Sequence, residues 1–66
     1  SGLSDRERDV LYHIADGYTN KETGARLEMP VETVETFRRS VMAKLGLQSR
    51  ADLVDYALEQ GIVERS

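Results

Sequence analysis

Between Thr19 and Arg38 the chain reads TNKETGARLEMPVETVETFR, and this stretch constrains the fold more than any other. Thr19 and Glu22 form a T-x-x-E capping box, in which the hydroxyl accepts an orphan helix N–H and the carboxylate reaches back to the cap, so a helix starts at Asn20. That helix runs about two turns, to Leu27, and turns Thr23 and Leu27 inward. Glu28-Met29-Pro30 makes a turn, because Pro30 cannot continue the first helix yet suits the start of the next, where a missing N–H is harmless. From Val31 to Leu45 the residues Val34, Phe37, Val41 and Leu45 recur at helical spacing, and Gly46 ends the run. Two helices hinged at such a turn are laid out as a helix-turn-helix. Gly24 falls where the two helices meet, and its missing side chain lets the backbones cross closely at a cost in helix propensity of roughly 1 kcal/mol against alanine.

The flanks add two more helices. Ser4 with Glu7 repeats the capping box, Leu3 staples onto the first turn, and Val10, Leu11 and Ile14 form an apolar stripe that stops at Asp16-Gly17, with Tyr18 over the core at that corner. Ser49 with Asp52 opens a last helix whose Leu53, Val54, Ala57 and Leu58 are expected to pack inward before Gly61 stops it and Ile62-Val63 close over its end. No segment alternates like a strand. The expected fold is all-α: a compact four-helix bundle, residues 3–64, containing a helix-turn-helix at about 19–38. Ser1-Gly2 has the character of a tag remnant, so the chain reads as a piece of a longer protein.

Sixty-six residues hold one small core, and without cysteine neither a disulfide nor a thiolate metal site can staple it. His13 is the only histidine and lies by spacing on the polar side of the first helix, so no metal constellation is expected. No activated nucleophile, carboxylate pair or phosphate-cradling glycine loop can be argued, so neither an enzyme nor a cofactor is expected. No apolar stretch reaches membrane-spanning length, and a cytoplasmic setting is compatible with the composition. The net charge is −3, yet its distribution is uneven: residues 1–19 carry −2, residues 51–66 carry −3, and residues 20–50 carry +2. Affinity for nucleic acid should therefore reside in the middle of the chain and fall with salt.

A helix that buries Val34, Phe37 and Val41 turns Glu32, Glu35, Thr36 and Arg39 outward. Such a face suits a DNA major groove. Arginine can hold guanine through two hydrogen bonds, threonine can touch a thymine methyl or a hydroxyl-accepting edge, and glutamate can accept from the cytosine amino group. Arg39 is the best base reader. For Glu35, base reading and pairing with Arg39 four residues on both stay open, and Glu32, two turns before Arg39, is likewise weighed as a partner for it. Lys21, Arg38, Lys44 and Arg50 are expected on phosphates, with Thr19, Thr33 and helix N-terminal amides adding neutral bonds.

Leu3-Ser4-Asp5-Arg6-Glu7-Arg8-Asp9-Val10-Leu11, Gly17-Tyr18-Thr19-Asn20-Lys21-Glu22, Thr33-Val34-Glu35-Thr36-Phe37, Lys44-Leu45-Gly46-Leu47 and Ser49-Arg50-Ala51-Asp52-Leu53-Val54 resemble, in that order, the LuxR/FixJ (GerE-type) helix-turn-helix. The resemblance covers nearly the whole chain, and the capped helix after Lys44-Leu45-Gly46 separates it from the similar region of sigma factors. It implies the C-terminal output domain of a bacterial response regulator or LuxR-type regulator, in the cytoplasm at the nucleoid. Glu35, Thr36 and Arg39 would face bases, and Thr33, Lys44 and Lys21 would contact the DNA backbone. It further implies two half-sites bound by a dimer through the last helix, where Asp52, Asp55, Tyr56 and Glu59 are the candidate interface, and RNA polymerase as a further partner. The acids of that helix would face their own copies across a two-fold axis, so the isolated domain is expected to be mostly monomeric. This chain departs from the family pattern at Glu35 (commonly basic), Phe37 (commonly histidine), Thr23 (commonly a large aliphatic) and Glu28 (commonly glycine). The acidic substitutions leave a second reading, an interaction module on the same fold with weakened or lost DNA binding.

Overall fold

Residues 2–61 are described by a computed structural model, in which four helices follow in order: α1 (Asp5–Ala15), α2 (Asn20–Leu27), α3 (Val31–Leu45) and α4 (Arg50–Glu59). All the described residues outside these helices lie in caps, turns and short connections, with no strand among them. The expectation for Ile62-Val63 lies outside the described residues.

Both capping boxes form. Ser4 Oγ accepts from the Glu7 N–H at 3.1 Å while Glu7 Oε1 accepts from the Ser4 N–H at 2.8 Å, and Thr19 and Glu22 exchange the same pair of bonds at 3.0 and 2.8 Å. Ser49 caps α4 through the Asp52 N–H at 3.1 Å, but the Asp52 carboxylate accepts from the Gln48 N–H, one residue upstream of the cap. Each helix ends on the left-handed closure that ties off its last carbonyls. At α1, Gly17 (φ 103) lets the Tyr18 N–H reach His13 O and its own N–H reach Ile14 O. At α2 the same place is held by Glu28, the one non-glycine residue with positive φ (58) among those described, and the Met29 N–H reaches Gly24 O at 2.8 Å.

α1 is the hub: it packs against α2, α3 and α4, and α2 packs in turn against α3. Val10, Leu11 and Ile14 of α1 meet Val34 and Val41 of α3 and Leu53 and Ala57 of α4 in one buried cluster. Phe37 and Leu45 are half-buried at its edge, whereas Met42, which the stripe of α3 did not include, is buried. α4 buries a narrower stripe than expected. Leu53 and Ala57, one turn apart, face the core, while Val54 and Leu58 are only half-buried, because a helix seated mainly on one neighbour covers less of its circumference. Gly24 is hemmed in chiefly by the turn itself: a Cβ there would lie 2.6 Å from Met29 O and 3.5 Å from Val34 Cγ2. The close approach expected for Gly24 thus involves the turn before it involves α3.

Candidate nucleic-acid interface

α3 is held along its inner side by α1 and α2, which fixes the side it leaves to solvent. Glu32, Thr36, Arg39 and Ala43 are exposed there, and Glu35 and Thr33 are half-buried at its flanks. Three of the expected groove residues, Glu35, Thr36 and Arg39, therefore share one accessible surface. Thr36 Oγ1 donates to Glu32 O at 3.0 Å, within its own helix. No ion pair joins Arg39 to Glu32 or Glu35 among the described residues, where the pair found is Lys44 with Glu7. Pairing within the helix thus leaves Arg39 and Glu35 unused.

The cations expected on phosphates fall into two groups. Lys21 is exposed near the start of α2, beside Thr19, whose hydroxyl is engaged in the cap. Lys44, Arg50 and Arg38 are tied into the fold. The Lys44 ammonium donates to Glu7 Oε1 at 2.8 Å and to Gly2 O at 3.4 Å, and its side chain remains 46% exposed. Arg50 Nη2 donates to Tyr18 O at 2.6 Å and Ile14 O at 3.4 Å, so it pins the start of α4 to the corner between α1 and α2. Arg38 is half-buried on the inner flank of α3, with Nη1 on Met42 Sδ and Nε shut off from solvent without a partner. It does not project with Arg39.

Glu7 has a role beyond the capping expected of it. It is 4% exposed and joins α1 to α3: Ser40 Oγ donates to Oε2 at 2.6 Å while Lys44 donates to Oε1. The Lys44 ammonium, then the Ser4 backbone N–H and the Ser40 hydroxyl, hold its carboxyl at about 2 against an ordinary 4.5. A usable signal was present, since Glu7 precedes Val10, Leu11 and Ile14 by three, four and seven residues and so lies on the core side of α1. A second unforeseen contact places the Arg26 guanidinium 4.6 Å from the centre of the Tyr18 ring, which also lies 5.5 Å from the ring of His13. His13 is half-buried, with Nδ1 2.7 Å from Asp9 O.

On α4, Asp52, Asp55 and Glu59 are exposed, whereas Tyr56 is half-buried and packs against the core. Among the described residues there is no cluster of three or more potential metal ligands and no helix long and apolar enough to cross a membrane.

A family model described as "Bacterial regulatory proteins, luxR family" matches residues 1–57. Oxygen regulatory protein NreC of Staphylococcus aureus strain JH9 is 47% identical over 62 residues, 94% of this chain and 29% of that protein. NreC of strains JH1 and USA300 gives the same figures, so the chain spans 29% of the length of these curated relatives. Five blocks of family-like sequence, the four-helix fold they build and the match over residues 1–57 agree: the chain belongs to the LuxR family of bacterial regulatory proteins and is a helix-turn-helix DNA-binding domain of transcription regulation.

Proposed function

We propose that this domain binds double-stranded DNA sequence-specifically, with α3 in the major groove and Glu35, Thr36 and Arg39 toward the base edges. The observation that carries the reading is the uncovered outer side of α3, where Arg39 has no competing carboxylate partner among the described residues while α1 and α2 hold the helix from behind. Arg39 is the guanine reader, Glu35 the acceptor for an amino group. Lys21, Thr19 and Thr33 contact phosphates on either side. Lys44 and Arg50 add to them with the donors their internal bonds leave over, and Arg38 contributes least because its guanidinium is partly shut in.

The full-length protein binds two half-sites as a homodimer through α4, in this proposal, and an N-terminal regulatory region gates it. Exposed Asp52, Asp55 and Glu59 would oppose their own copies across a two-fold axis, so the domain by itself stays mostly monomeric. RNA polymerase is the further partner of such a regulator.

Arg39→Ala should cost about 1–3 kcal/mol on the preferred duplex and little on random sequence. Lys21→Ala should weaken both alike and lower the salt slope by about 1. Fluorescence anisotropy on a duplex selected by this chain from a random library measures both, and unchanged binding by Arg39→Ala would overturn the assignment. The internal engagement of Lys44 and Arg50, beside exposed Glu32, favours a second reading as an interaction module. Absence of binding by the dimeric full-length protein at low salt would select it.

A further inference from the structure

Resting on the groove placement proposed above, we infer that Thr36 reads the C5-methyl group of a pyrimidine with its own γ-methyl, and that its hydroxyl takes no part in choosing the base. The Cβ of threonine carries two heavy substituents in staggered positions. Here one of them, Oγ1, turns back along the helix and donates its only proton to Glu32 O at 3.0 Å. The other, the γ-methyl, takes a different staggered direction, on a residue that is exposed. Burial does not force this arrangement, since the hydroxyl is free to point to water and bonds its own helix instead.

The neighbours divide the remaining chemistry. Arg39 supplies donors, Glu35 and Glu32 supply acceptors, and exposed Ala43, seven residues on, adds another methyl to the same side. Donation to base acceptors therefore falls to Arg39 and not to Thr36, whose contribution is shape and apolar contact. In a major groove the matching group is the C5-methyl of thymine or of 5-methylcytosine. Thr36 thus specifies a methylated pyrimidine beside the bases read by Arg39 and Glu35.

The test starts from a duplex that this chain enriches at low salt from a randomised library. Each thymine is replaced in turn by uracil, which removes the methyl alone, and each cytosine by 5-methylcytosine, which adds it. Binding is measured for the native chain and for Thr36→Val, Thr36→Ser and Arg39→Ala, all checked for helix content. One position should respond to the methyl by about fourfold, the worth of a single buried carbon. Thr36→Val should keep that sensitivity and Thr36→Ser should lose it. Loss on uracil identifies thymine as the source, and gain on 5-methylcytosine identifies the modified base. No sensitive position, or Thr36→Val losing the methyl sensitivity while Thr36→Ser keeps it, overturns the inference while Arg39→Ala still weakens the duplex. If no duplex is enriched and Arg39→Ala changes nothing, the groove placement falls, and this inference with it.

Discussion

Thr23 has no exposed surface, yet its Oγ1 has no hydrogen-bond partner among the described residues. A buried unpaired hydroxyl costs roughly 1–3 kcal/mol, whereas an apolar group of the same shape can be neutral or better. Thr23→Val is therefore expected to stabilise the domain by about 1 kcal/mol and to raise the thermal midpoint by roughly 4–8 °C at this chain length. Parallel urea melts would show the midpoint displaced with the slope unchanged. A lower midpoint would mean that the hydroxyl is satisfied inside the protein. The burial of Thr23 was legible, because it precedes Leu27 by one helical turn; the fate of its hydroxyl was not, since that depends on which groups of α1 and α3 surround it. Gly24 and Glu28 divide in the same way. Sequence spacing put Gly24 at a close approach, but the nearest obstacle to a Cβ is Met29 O, brought there by the left-handed backbone of Glu28. Only the geometry of the turn reveals that contact.

The helices themselves were legible to the residue at α2 and α3, because capping boxes, Pro30 and Gly46 are local signals that tertiary packing did not override. What joins the helices was less so. Glu7 serves two elements at once, capping α1 through Ser4 and receiving Ser40 and Lys44 from α3, more than thirty residues away in sequence. Its folded pKa is about 2, below the ordinary 4.5, so the stabilisation it provides is fully present above pH 4.5 and is lost as pH falls toward about 2. Glu7→Gln keeps the shape and removes the charge. The thermal midpoint of this variant should lie below that of the native chain at neutral pH and vary less between pH 5 and pH 2, so the two curves converge in acid. Parallel curves over that interval would show that the carboxylate is not the group responsible. The same tie explains why Lys44 was only half legible: a lysine late in an amphipathic helix looks available for phosphate until its partner on α1 is located.

For the whole molecule, the question is how a chain of net charge −3 approaches a polyanion. The positive middle segment is real in sequence but smaller in effect, because the Lys44 charge is paired with Glu7 and Arg50 bonds two backbone carbonyls. With few cations at liberty and two carboxylates on or beside the outer side of α3, attraction to arbitrary DNA should be weak, and discrimination must come from a small set of base contacts. On the proposed groove placement, Glu35 would be a brake on nonspecific association as well as an acceptor for a base amino group. Glu35→Lys takes the net charge from −3 to −1. It should raise affinity for a random duplex and steepen the salt slope by about 1, while narrowing the ratio between preferred and random sites. Anisotropy titrations across a salt series on both duplexes measure each quantity. Were affinity and slope the same as in the native chain, the outer side of α3 would not come near phosphate, and the low affinity expected of this domain would need an origin elsewhere than in the acids of α3.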